Sequence, residues 1–472
     1  MRSWIFILAV SYLVLLVLLS LNSRRRNQTA DDFIFAGSNI GIFLGLLTFA
    51  ATLFSTFTLL GMPDFFRMHG IGAWIFLAVS DGAMVFLIVW FGYHLRKRVL
   101  KKGFRGMAGL LNESYRTSFA GYTYFAGVFL FLIPYVAIQI RGVAIFLNAS
   151  FPEVFPVWGW ALLIVITMLI YSEVGGLRAI MYADTLQGLI LLVVVWVIAF
   201  NCISYFGGVK TMFVSVESVD PGLLSVPGPE NLFNIQFLLA SFLAILLLPV
   251  TQPQLTTRLV VMSNLRAMHR MAVGVGFFAI MIILPTAAIG LYGAVRYPEE
   301  TTAVFLSQVL LFDQPGIVAA AAIIGLIAAA LSTSDSQIFA LGSELRSLLP
   351  LREKNTLLKT RIGMIVFGFA SFVFSILSSD QLVLLARVSF AGTSLLAPMI
   401  FAAIFLKKSP GIEIVIATLT GLLLFIATLF NIIPSEIGTI RMDLLLLIFL
   451  GLFTVVIHFV RNRSNGWSRN QH

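Results

Sequence analysis

Apolar, nearly uncharged stretches recur along this chain from Trp4 almost to its C-terminal end, and no other feature constrains its fold as strongly. Each approaches or exceeds the roughly 20 residues that a helix needs to cross a ~30 Å hydrocarbon core. No water is present there to satisfy backbone groups, so such stretches must be helices; they are too long to be the ~10-residue strands of an outer-membrane barrel. Composition agrees: 59% of residues are hydrophobic and 11% charged, where soluble domains carry about 25% charged residues. The expected fold class is an all-α integral membrane protein. The first stretch, Trp4 to Leu21, lacks a small-residue cleavage site and is followed by many more, so it reads as a first helix and not as a signal peptide.

Thirteen segments are expected, over 3–22, 40–62, 71–95, 119–147, 155–173, 183–206, 233–253, 270–295, 316–345, 360–378, 382–406, 411–431 and 441–460. An odd number places the termini on opposite sides, and the distribution of Lys and Arg assigns them. Of 31 basic residues, 24 fall after odd-numbered segments or in the C-terminal tail, including seven between Arg96 and Arg116 and five between Arg346 and Arg361. The N-terminus is therefore expected outside and the C-terminus in the cytoplasm of a cell with a bacterial-type inner (plasma) membrane. The net charge of +10 reads as this topological signal and not as a nucleic-acid surface. The longest polar excursion, 207–232, is Gly- and Pro-punctuated and too short to hold a core, which makes it an external loop suited to covering a vestibule. The lone Cys202 excludes an intrachain disulfide.

Three segments carry chemistry. LLTFAATLFSTFTLLGMP (46–63) mixes Ala50, Ala51, Thr52, Ser55, Thr56 and Thr58 into an apolar helix ending at Gly61 and Pro63. That composition suits an interrupted helix, whose freed carbonyls can meet an ion, although small residues also serve helix packing. The ninth segment places Ala329, Ser332, Thr333 and Ser336 on one helical face. A hard cation wants such oxygens, while the bland reading is hydroxyls bonded back to their own helix. Asp335 weighs against the bland reading, because an acid at membrane depth marks an ion or substrate route. The third is YSEVGGLRAIMYADTLQG (171–188), where Arg178 leads to Asp184 and Gln187.

These three features, with DDFIFAGSNIG (31–41) and QPQLTTR (252–258), resemble the sodium/solute symporter family over most of the chain, most specifically in EVGGLRAIMYADTLQ and AALSTSDSQ. The resemblance implies a 5+5 inverted-repeat core of the leucine-transporter type. A peripheral segment and basic loop occupy 1–30, the first repeat 31–206, the external loop and second repeat 207–406, and two peripheral segments with a tail 407–472. It implies a sodium ion as coupling ion, held by the backbone of Ala51 and Phe54, the carbonyl of Ala329 and the hydroxyls of Ser332 and Thr333. Asp184, Asp335 and Ser336 match a second ion position, or an exit path, found in some members. Two carboxylates there would also permit proton coupling.

Candidates for the solute are Ser55, Thr58, Ser80, Asp81, Gln139 and Arg141. Arg141 suggests a carboxylate-bearing solute through bidentate pairing, with a structural pair to an acid as the alternative. Arg387 reads as a gate or interface residue. Departures from better-known members, such as Leu53 where proline carriers have an acid, prevent transfer of a named specificity. The expected function is sodium-coupled import of a small organic solute by alternating access. The expected partners are that solute and the lipid bilayer, with no nucleic acid and no obligate protein partner. A solute-sensing receptor on the same helices is the rival; an enzyme is disfavoured, since no H-E-x-x-H or phosphate-binding loop is present.

Overall fold

The computed structural model describes residues 2–24, 39–174, 176–350, 356–406 and 408–467, and they are overwhelmingly helical. Gly175, most of the 31–41 run and the basic residues Arg25, Arg26, Arg352, Lys354, Lys407 and Arg469 lie outside the described residues. Among the described residues, nine helices are long and apolar enough to cross a membrane. A tenth crossing arises when Ile42–Leu53 and Phe57–His69, bent by 56° at a short break, count as one. Segments 1, 5 and 7 form the helices Arg2–Arg24, Val157–Val174 and Ile235–Leu246. Thirteen crossings would require all three of these in addition to the ten.

Interruption of a helix needs an alternative partner for each freed backbone group, and segment 2 supplies them locally. The Ser55 and Thr58 hydroxyls bond nearby amides, competing with the helical ladder. Segment 7 is also interrupted. Ile235–Leu246 gives way to the short helix Leu248–Thr251, extended backbone at Gln252, and a further helix Pro253–Val261. Pro249 and Pro253 lack amide hydrogens, so an unbroken ladder cannot form there. Segments 2 and 7 are the first members of the two expected five-segment sets, and discontinuous helices at corresponding positions are typical of an inverted repeat.

Segments 2, 6, 8 and 9 pack together at the centre, with segment 9 (Gly316–Leu348) also against segment 4 (Ser118–Ser150). The central window of segment 11 is 83% buried, whereas that of segment 13 is 22% buried, which places the latter at the periphery. Segment 1 packs on segments 6 and 9. Its Tyr12 hydroxyl accepts a 2.6 Å bond from Gln187 Nε2.

The 207–232 excursion is more ordered than its punctuation suggests, with a helix at Val209–Val219 and a 3-10 turn at Pro221–Leu224. It closes over the end of segment 2, where Ile71 donates its amide to Leu223 O at 2.7 Å. Gly70 turns there with a φ of 78°, and a Cβ on it would lie 2.2 Å from Leu223 O.

Candidate ion and solute site

At the break in segment 2, each amide from Ser55 to Phe57 is diverted from its helical acceptor. Ser55 N donates to Thr58 Oγ1 (3.1 Å), Thr56 N to Gln139 Oε1 (3.2 Å) and Phe57 N to Ser55 Oγ (3.3 Å). Thr58 N turns back to Ser55 O (2.8 Å). The carbonyls of Ala51, Thr52, Leu53 and Phe54 consequently lose their i+4 donors. Leu53 O accepts instead from the Tyr135 hydroxyl (3.1 Å), and Ala51 O from Thr333 Oγ1 (3.3 Å). Segments 2 and 9 therefore meet through Ala51 and Thr333, two of the five residues expected to hold the ion. Phe54 is 1% exposed, and Ala51, Ala329, Ser332 and Thr333 are at most 2% exposed. Oxygens 3.3 Å apart can share one cation at about 2.3–2.6 Å, the range for calcium, an ion of similar radius to sodium.

Ser332 and Thr333 share the expected face but serve different neighbours. Ser332 Oγ donates to Asp184 Oδ1 in a short hydrogen bond. Asp184 Oδ2 accepts from Thr48 Oγ1 (2.6 Å) and from Arg258 Nη2 (2.8 Å). The guanidinium continues to Ser336 Oγ (2.7 Å), to Thr48 Oγ1 (3.0 Å) and to Gln254 O (2.8 Å). Asp184 is 0% and Arg258 1% exposed, and Asp335 is also fully buried. Arg258, read from sequence as a loop cation, is thus inside the protein. The pairing explains why: an Arg buried away from water needs a carboxylate, and Asp184 supplies it.

Among the solute candidates, Ser55, Thr58 and Gln139 gather at the break. Ser80 Oγ donates to Phe76 O (2.6 Å), one turn earlier on its own helix. Asp81 is 5% exposed, and no ion pair to it is found among the described residues. Arg141 is elsewhere: its Nε meets Asp380 Oδ1 at 2.8 Å in a partly exposed pair. The structural alternative for Arg141 is therefore the arrangement observed, and it removes the observation on which a carboxylate-bearing solute rested. Arg387 is buried as an inter-helix tie, its Nη2 2.6 Å from Asp443 Oδ2 and its Nε 2.8 Å from Ser241 Oγ.

Sequence reasoning missed Thr48, Tyr135, Arg258 and the second break. The prolines of segment 7 could have revealed the break. Thr48 lies outside the polar cluster that drew attention to segment 2. No sequence signal ties Arg258 to Asp184, 74 residues away.

Comparison with known proteins agrees with the fold. The sodium/pantothenate symporter of Haemophilus influenzae is 27% identical over 179 residues, 38% of this chain and 37% of that protein. The sodium/pantothenate symporter of Escherichia coli is 22% identical over 282 residues, 58% of this chain and 57% of that one. The matched regions thus span less than two thirds of either relative. A solved structure of a Na+-coupled sialic acid symporter, in a substrate-bound outward-open state, superposes with a TM-score of 0.78 at 16% identity, covering 96% of both chains. That likeness establishes the leucine-transporter-type fold. A family model described as the sodium:solute symporter family matches residues 33–421, most of the chain, and the protein therefore belongs to that family.

Proposed function

We propose that this protein imports a small organic solute together with sodium, by alternating access, in a plasma membrane with the N-terminus outside and the C-terminus inside. The two repeats divide near residue 206, and all thirteen segments cross the bilayer. The observation that carries this reading is the row of carbonyls at 51–54, freed from the helical ladder, with Ala51 O meeting Thr333 of segment 9. Unwound backbone at membrane depth is tolerated where it binds or lines something, and a sodium ion between segments 2 and 9 fits that donor set. Ala51, Phe54, Ala329 and Thr333 hold the ion, while the Ser332 hydroxyl, also expected there, serves Asp184. It favours the state in which the solute site faces outward, and loss of the ion inward releases that preference.

The solute meets the polar groups at the break, Ser55, Thr58 and Gln139, with Asp81 on the neighbouring segment. With Arg141 held by Asp380, a cationic or neutral polar solute is as well served as an anionic one. Each sodium moved through ~100 mV gains about 2.3 kcal/mol, and a tenfold ion gradient adds roughly 1.4 kcal/mol, enough for a solute gradient on the order of several hundredfold. A thermal-shift screen of small polar solutes, run in sodium and in choline, tests the reading. At least one compound is expected to stabilise the protein in sodium only; equal stabilisation in both salts would argue against coupling.

A further inference from the structure

Far from the break in segment 2, three elements meet around a cavity on the face proposed to be cytoplasmic. They are the end of segment 3, whose apolar span runs Ile75–Lys101, the end of segment 9 at Leu348, and the connecting helix Met107–Tyr115. The cavity holds about 350 Å³, within the roughly 300–1,000 Å³ of small-ligand sites. Arg98, Arg105 and Glu113 line it together with Phe104 and Leu348. The positive-inside rule accounts for basic residues at this depth but not for a cavity between them. The amides that open the connecting helix are not what the cavity offers, because segment 9 already takes them. Glu344 Oε1 accepts from Met107 N (2.9 Å), Glu344 Oε2 from Ala108 N (2.7 Å) and Ser347 Oγ from Gly109 N (3.1 Å).

The charged side chains are held in place without being neutralised. Arg98 is half-buried, and its Nη2 donates to Ser114 Oγ at 2.8 Å. Its Nε is shut off from solvent and has no acceptor among the described residues. Arg105 Nη2 reaches Leu349 O at 3.3 Å. Among the described residues neither guanidinium forms an ion pair with Glu113, although all three line one cavity. Opposite charges that line a cavity unpaired are complementary to a ligand that carries both signs. A guanidinium pairs with phosphate oxygens, and a carboxylate accepts hydrogen bonds from a primary ammonium. A quaternary ammonium would want an aromatic cage, whereas Phe104 is the one aromatic side chain in this wall.

We propose that this cavity binds a phosphoethanolamine group, supplied as the headgroup of a membrane phospholipid, with the phosphate at Arg98 and Arg105 and the ammonium at Glu113. The ends of two membrane-spanning helices put the cavity at headgroup depth, and Phe104 and Leu348 give its wall an apolar side. The bound lipid bridges segment 3, the connecting helix and segment 9, the helix that carries Thr333. The site is independent of the sodium-coupled reading and stands or falls without it.

Native mass spectrometry of the purified, delipidated full chain tests this, with four probes titrated separately: dihexanoyl phosphatidylethanolamine, phosphatidylcholine and phosphatidylglycerol, and soluble O-phosphoethanolamine. The wild type is expected to retain one phosphatidylethanolamine about tenfold more tightly than any other probe, and Arg98→Ala to lose about tenfold of that affinity. Equal retention of the three lipids would reduce the cavity to an adventitious lipid contact and overturn the proposal. Equal binding of soluble O-phosphoethanolamine would overturn the lipid source. Should Arg98→Ala not fold, variants at the exposed Glu113 decide. Glu113→Gln is expected to erase the preference over phosphatidylcholine, and Glu113→Arg to turn the preference towards phosphatidylglycerol. An unchanged preference in both variants would overturn the proposal.

Discussion

Ser332 and Thr333 are neighbours in sequence, yet one hydroxyl turns to Asp184 and the other to Ala51 O. The difference separates two roles that sequence pattern alone merges into one stripe. Thr333→Ala is expected to raise the sodium concentration for half-maximal stabilisation about tenfold, equivalent to about 1.4 kcal/mol, with the fold intact. Titration of melting temperature with sodium chloride against choline chloride measures it, and an unchanged midpoint would remove Thr333 from the site. Gln139 faces a different demand, since its Oε1 is the acceptor for the buried Thr56 amide. Gln139→Leu leaves that amide without its acceptor and is expected to cost about 1–3 kcal/mol of stability, read from thermal unfolding in detergent. The hydroxyl-rich character of both segments was legible in sequence because membrane helices seldom collect such residues without a use. The partner of each hydroxyl was not legible, because partners such as Asp184 and Ala51 lie 148 and 282 residues away.

At the scale of elements, the break in segment 2 was readable from its mixture of Ala, Ser and Thr, and the structure places it at 54–56. The matching break in segment 7 was signalled by Pro249 and Pro253, but a strongly apolar run around Pro249 reads as a continuous helix. Close helix approach is another element-level property that sequence does not reveal. A Cβ on Gly290 of segment 8 would lie 2.4 Å from Phe66 Cβ and 2.5 Å from Pro63 O. Gly290→Ala must push the second half of segment 2 away, so it is expected to lower the melting temperature, while Gly451→Ala, with open space around it, leaves the melting temperature unchanged. Arg387 ties segments 7, 11 and 13 through Ser241 and Asp443. Arg387→Met leaves the buried Asp443 carboxylate with Arg441 alone, 3.4 Å away, and is expected to cost less than the roughly 3–5 kcal/mol of an unpaired buried charge; adding Asp443→Leu should restore part of that loss. A double variant no more stable than the single one would show that the tie is not an ion-pair effect.

For the whole molecule, fold class and family followed from span length, charge asymmetry and a few motifs, because the bilayer leaves so few architectures open. Orientation rests on the basic loops, and the structure withdraws Arg258 from that tally without altering its direction. Ser218 and Lys101 are both exposed and fall on opposite sides of the proposed topology. In intact cells an impermeant maleimide is expected to label Ser218→Cys and to spare Lys101→Cys; the reverse pattern would invert the protein. The central claim is that a sodium gradient drives solute movement through the oxygens between segments 2 and 9. Its most direct test is accumulation of a labelled solute, chosen from the sodium-dependent stabilisers, in proteoliposomes with an inward sodium gradient. Accumulation above equilibrium that collapses when a sodium ionophore is added is the predicted result, and equal uptake with and without the gradient would contradict it.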